Sequence, residues 1–149
     1  MGDLFADFTV SVLKLNKLVQ KIKTYEIEKY GLKPVHVMCI YHLYKNPQGL
    51  TAKELGELTL EDKAAISRAL KIMQDKGYVS YGANSRNSTV TLTENGKTLA
   101  VNVCMRAEKA VEAGSVDFTE EQRLFFYKSL ETIVEKLKNY YKGLVKDSD

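Results

Sequence analysis

Between Lys63 and Lys71 the chain reads Lys-Ala-Ala-Ile-Ser-Arg-Ala-Leu-Lys. A helix through this stretch gathers Ile66, Ala69, Leu70 and Met73 on one face. Lys63, Ala64, Ser67, Arg68 and Lys71 are left on the other side. Lysine and arginine neutralise phosphates, and serine and arginine reach base edges in the major groove, into which an α-helix fits. Ala64 and Ala65 are small enough for close approach to the groove floor, and an alanine methyl packs on a thymine methyl. The first turn of such a helix also offers free N–H groups to a phosphate. Arg86 sits in the loop Gly82-Ala83-Asn84-Ser85-Arg86-Asn87, and one arginine on a thin loop suits the negative potential of a narrow minor groove. From Lys63 to Leu92 five cations face one carboxylate, a local charge of +4 against +3 for the whole chain. A solvated charged face has the same composition, so the flanking elements must decide.

Those elements are legible. Thr51-Ala52-Lys53-Glu54 has the form of a capping box and opens a short helix expected to bury Leu55 and Leu58. A second helix starts at about Glu61 or Asp62, whose charge suits a helix N-terminus, and ends at Gly77. Tyr78–Tyr81 and Thr89–Leu92 are β-branched and aromatic, hence strand-like, and turn formers join them. Upstream, Phe5, Phe8, Val12, Leu15, Val19 and Ile22 mark a helix with a heptad-like stripe that ends near Gly31. Pro34 opens the next helix, apolar nearly all round from Val35 to Tyr44 and therefore expected to be central and buried. Thr93 caps a long helix through Leu99, Val103, Ala107 and Ala110 to Gly114. Thr119-Glu120-Glu121-Gln122 opens the last helix, with Phe126, Leu130, Ile133, Leu137, Tyr140 and Leu144 in a second stripe. The two terminal stripes either pack within one monomer or intertwine two chains, and spacing alone leaves both open.

The 149 residues, 44% hydrophobic and 28% charged, suit one ordinary globular domain. A net charge of +3 excludes a polybasic tail, so any nucleic-acid surface is local. No apolar run approaches the length of a membrane span, and MGDLFADF lacks the basic start of a signal peptide. Cys39 and Cys104 form no disulfide framework and read as reduced, which points to the cytoplasm. His36-x-x-Cys39-x-x-His42 spreads over about a third of a helix circumference, so it reads as ordinary half-buried packing rather than a metal site. The apolar neighbours of both cysteines argue against a redox switch. Tyr25, Tyr30, Tyr41, Tyr44 and Tyr140 could line an effector pocket, although core and interface roles suit them better. No nucleophile elbow or phosphate-binding glycine loop occurs, so an enzyme is not expected, and neither a cofactor nor a metal.

Several segments together resemble the MarR family of bacterial winged helix-turn-helix transcriptional regulators. They are Leu50-Thr51-x-x-Glu54-Leu55, Ile66-Ser67-Arg68-x-Leu70, Lys76-Gly77-Tyr78-Val79, Leu92-Thr93-x-x-Gly96 and Phe118-Thr119-Glu120-Glu121. The resemblance implies a homodimer whose first and last helices form the interface. It also implies that the Asp62–Lys76 helix enters the major groove of a pseudo-palindromic operator and that the wing touches the flanking minor groove. Many members are repressors released by a small, often phenolic or anionic, compound bound between the dimer and DNA-binding regions. Two departures stand out. Asn84 occupies the place of an acidic residue two before the wing arginine, and Tyr81-Gly82 replace basic residues that close the first wing strand.

The expected fold is therefore mainly α with a small β-hairpin wing: a winged helix-turn-helix with N- and C-terminal dimerisation helices. It is expected as a single domain over 1–149, with dimerisation helices at 1–32 and 118–149, the DNA-binding region at 33–96 and a connecting helix at 94–114. The expected function is sequence-specific binding of double-stranded DNA through Thr51, Lys53, Lys63, Ala64, Ala65, Ser67, Arg68 and Lys71, with Asn84, Arg86, Asn87 and Ser88 at the wing tip. The alternative is a winged-helix adaptor that docks an acidic protein partner without reading DNA sequence.

Overall fold

The structure, a computed structural model, describes residues 2–82 and 88–148. Its elements are α1 (Leu4–Ile27), a 3-10 turn (Glu28–Tyr30), α2 (Pro34–Lys45), α3 (Ala52–Thr59), α4 (Lys63–Asp75), β1 (Val79–Tyr81), β2 (Val90–Leu92), α5 (Glu94–Gly114) and α6 (Glu120–Asp147). This is the mainly helical, hairpin-bearing fold expected from the periodicities. Among the described residues no helix is long and apolar enough to cross a membrane. The chain divides into two compact units, one up to Glu108 and one from Lys109.

The first unit holds the core. Ile27, Leu32, Cys39, Ile40, Leu43, Leu50, Leu55, Ile66, Leu70, Met73, Val79, Val90, Leu99, Ala100 and Val103 form one buried cluster. Every α-helix and strand of the unit contributes to it, so α2, α3, α4 and the hairpin share one apolar interior. Two expectations of burial need correction. Leu58 is exposed, because α3 turns the row Ala52, Leu55, Thr59 inward and Leu58 lies to one side of it. α2 is not buried all round: His36, Cys39, Ile40 and Leu43 face in, whereas Tyr41 and Tyr44 are exposed. Tyr25 is exposed as well, so these tyrosines are not core residues of the chain. The stripe Phe5, Phe8, Val12, Leu15, Val19 and Ile22 on α1 also faces outward.

Local signals set the helix ends. Asp3 caps α1 through Ala6 N–H, and Asp62 caps α4 through Ala65 N–H at 2.7 Å. The Thr51 hydroxyl accepts from Glu54 N–H at 3.2 Å while the Glu54 carboxylate accepts from Thr51 N–H at 2.8 Å, a complete capping box. α4 stops in a Schellman motif. Gly77 takes a left-handed φ of 77° while its N–H bonds Gln74 and Tyr78 N–H bonds Met73. α3 ends on Leu60 in the same left-handed region, φ 60°, with its N–H on Gly56. β1 and β2 pair antiparallel, Val79 with Leu92, Ser80 with Thr91 and Tyr81 with Val90. Leu50 adds a bridge to Val90 through bonds of 2.7 and 3.1 Å, which ties the hairpin base to the start of α3. Thr93 joins α4, the hairpin and α5: its hydroxyl donates to Gly77 and accepts from Gly96 N–H, and its N–H bonds Tyr78.

The second unit holds the end of α5 and α6. Thr119 and Gln122 make a second complete capping box, with bonds of 3.2 and 2.9 Å. Ser115 is buried, and the Arg123 guanidinium reaches its carbonyl at 3.4 Å. Phe126, Ile133, Leu137, Tyr140 and Leu144 on α6 are exposed.

Two outcomes are expected. Gly96 comes so near the hairpin that a Cβ would lie 2.0 Å from the Tyr78 carbonyl oxygen, a backbone atom with little room to yield. Gly96→Ala should lower the unfolding free energy by about 3 kcal/mol, read from the urea midpoint; an unchanged midpoint would contradict the packing. The thiols should also separate by reactivity. Burial, reinforced by Glu61, pushes the Cys39 thiol up to about 12, while Cys104 is half-buried with its thiol raised mainly by burial. A disulfide reagent at pH 8 should modify Cys104 slowly in the native protein and Cys39 only after unfolding. Equal rates would refute this.

Candidate nucleic-acid interface

α4 is held by its buried side. Ile66, Ala69, Leu70 and Met73 are buried, and the opposite side presents Lys63, Ala64, Ser67, Arg68 and Lys71 to solvent. Ala65 is half-buried beside them. These residues therefore lie on one outward face, as the spacing implies. Among the described residues Lys63 and Arg68 form no ion pair, whereas Lys71 meets Asp75 of the same helix at 3.3 Å. That pair is solvent-exposed, and such i,i+4 pairs contribute only about 0.3–0.5 kcal/mol. It would exchange readily for a stronger acceptor.

Thr51 and Lys53 stand at the start of α3. Lys53 is exposed; Thr51 is half-buried, and its hydroxyl accepts the cap bond while its hydrogen can donate elsewhere. Ser88 is half-buried, two residues before β2. Asn84, Arg86 and Asn87 lie outside the described residues. Two placements were not apparent from spacing. Lys76 counts toward the local charge of +4, but its ammonium lies over Gly31, where a Cβ would be 2.7 Å from Nζ, and so not on the outward face. Tyr81, at the end of β1, is exposed and stands close enough to Lys71 to feel its charge: burial raises the phenol's pKa and Lys71 lowers it. The base of the wing thus adjoins the middle of α4.

The other constellations fall elsewhere. His36 and Cys39 are buried and His42 is half-buried; burial lowers the pKa of both histidines, the largest influence on each. Nδ1 of His36 already accepts Lys33 N–H at 2.7 Å. Among the described residues no three His, Cys, Asp or Glu side chains converge as a metal site. Between α1, α2 and α5 a narrow cavity of about 50 Å³ is lined by residues including Ile22, Ile27, Tyr30, Val37 and Val103. Lys23 also lines it; its ammonium contacts the Met38 thioether at 3.2 Å, and burial lowers its pKa. An adjoining open hollow of about 590 Å³ is lined by Tyr25, Glu26, Glu28, Lys29 and Arg106, with Arg106 paired to Glu26.

With this geometry in hand, known proteins provide the comparison. A sequence model described as the MarR family matches residues 30–87, the span from α2 through the wing. No curated protein matches the chain in sequence at a significant level. Among solved structures, a MarR transcriptional regulator from Methanosarcina mazei Go1 is 26% identical, with 94% of each chain covered and a TM-score of 0.83. A MarR protein from Peptoclostridium difficile is 20% identical over 97% of this chain and 95% of its own, with a TM-score of 0.83. A MarR family regulator from Listeria monocytogenes, solved with a 26mer DNA, is 20% identical over 98% of this chain and 96% of its own, with a TM-score of 0.81. The central segment thus matches the MarR family's sequence pattern, and nearly the whole length shares the fold of solved MarR transcriptional regulators.

Proposed function

We propose that this protein is a sequence-specific DNA-binding repressor that works in the cytoplasm as a homodimer. The observation that carries the reading is the outward face of α4. Among the described residues Lys63 and Arg68 stand there without ion-pair partners, with Ser67 between them and small alanines at the first turn. Cations kept apart from carboxylates are available to phosphates and guanine edges without first breaking a bond. The solved relative with a 26mer DNA supports the same use of the fold. In this reading Thr51 and Lys53 touch the backbone, Lys63, Ala64, Ala65, Ser67, Arg68 and Lys71 occupy the major groove, and Asn84, Arg86, Asn87 and Ser88 reach the flanking minor groove.

The dimer reading rests on the outward apolar stripes of α1 and α6, which a second copy would cover. Residues 1–32 and 118–149 then serve as dimerisation helices, 33–96 as the reading head and 94–114 as the connector. A small anionic or phenolic effector would enter the α1–α2–α5 crevice, where the Lys23 ammonium has a thioether for a neighbour instead of a carboxylate. Its binding there would shift the head and release the operator.

Selection of bound sequences from a random DNA pool should return an inverted repeat, with affinity falling steeply as salt rises. Arg68→Ala should then weaken binding by about 10- to 100-fold and relax base preference, whereas Lys63→Ala should weaken all sequences alike and reduce the salt slope by about one. Arg86→Ala should lower affinity with less effect on base choice in the major groove. Sequence-independent binding, or none, together with capture of an acidic protein partner, would replace this reading with that of an adaptor.

A further inference from the structure

The N-terminus of α2 is closed by a side chain that can change its charge. Lys33 is the N-cap, and its backbone N–H donates to Nδ1 of His36 at 2.7 Å. A glutamate or glutamine commonly accepts that bond from the third helical position; here an imidazole does. The lysine side chain cannot return an accepting bond, so the box is half made. His36 is 2% exposed. Because Nδ1 accepts, the neutral ring carries its hydrogen on Nε2. That nitrogen is buried and meets no hydrogen-bond partner among the described residues.

The charges around the ring are of one sign. Lys33, the N-cap of the same helix, and Lys76, at the C-terminal end of α4, both act on it, and among the described residues no carboxylate is one of the groups that do. Glu61, from the turn before α4, acts instead on Cys39, one turn further along α2. His42, the only other histidine, lies two turns away and is half-buried.

We propose that His36 is an acid-sensitive latch of the DNA-binding head: a proton on Nδ1 removes the Lys33 contact, sets a third cation beside Lys33 and Lys76, and loosens α2 from the end of α4. The switch is one proton taken from solvent, with no other bond made or broken. Burial first, and the two lysines after it, hold the folded pKa below the ordinary 6.5, while the backbone bond to Lys33 acts in the opposite sense. The unfolded chain takes up the proton near 6.5 and the folded one resists it. The stability contributed is therefore whole above about pH 6.5 and is lost as pH falls from there toward the folded value. Loss of operator affinity on acidification rests on the function proposed above; the latch itself does not.

The test compares melting of the full-length wild type, His36→Gln and His42→Gln from pH 7.5 to 5.5. Glutamine retains an acceptor for Lys33 N–H and cannot take up a proton. Wild type and His42→Gln should lose several degrees over this range, and His36→Gln clearly less. An equal loss in His36→Gln overturns the proposal. If that variant fails to fold, nitrogen NMR of the wild type decides. His36 should be the Nε2–H tautomer at pH 7.5 and titrate below 6.5; an Nδ1–H tautomer, or titration at or above 6.5 in the folded protein, overturns it. DNA affinity measured on the same samples separates the two claims. A protein that never binds DNA refutes the repressor reading, while melting and NMR still judge the latch.

Discussion

Ile66, Leu70 and Met73 are each at most 1% exposed, and they lie against a cluster that also takes in Ile40, Leu43 and Leu55. Burying a side chain of this size contributes about 1.5–3 kcal/mol. Rotating α4 by a single residue, about 100°, would expose most of that stripe and cost several kcal/mol. The Lys71–Asp75 pair on the opposite side is worth a small fraction of this. The apolar stripe therefore fixes the rotation of α4, and the outward display of Lys63, Ser67 and Arg68 follows from it. The polar face needs no interactions of its own to be oriented, which leaves its donors available for a ligand.

The neighbouring elements extend that constraint. Thr93 bonds the turn after α4, the start of α5 and the strand between them, and Leu50 pairs with Val90 at the hairpin base. The wing's root therefore moves with α4 and α3. Gly96 permits the contact because any side chain would strike the Tyr78 carbonyl. The head behaves as one body whose inward side is apolar and whose outward side is basic. The α2 terminus joins this body through Lys33, His36 and Lys76.

Much of this was legible in the chain itself. The capping boxes at Thr51 and Thr119, the Asp62 cap and the Gly77 stop are local signals, and all four lie where the sequence implies. The buried row of α4 follows from its spacing alone. Legibility failed where packing, not pattern, decides. Leu58 looked inward because it is apolar, but an eight-residue helix buries a narrow row and Leu58 falls beside it. α2 looked central because it is apolar all round, yet the side bearing Tyr41 and Tyr44 is left uncovered within the chain. Lys76 added to a charge count, whereas its side chain crosses to Gly31, a contact 45 residues away in sequence that no local pattern encodes. His36 looked like packing, and only its bond to Lys33 identifies it as a cap.

The central claim is that paired α4 helices read successive major grooves on one side of a duplex. Methylation interference at guanine N7, an atom exposed only in the major groove, tests it most directly on the selected DNA. The account requires two interfering clusters with centres about 10 base pairs apart, both weakened by Arg68→Ala. A single cluster, interference spread evenly along the site, or a pattern indifferent to Arg68 would contradict it.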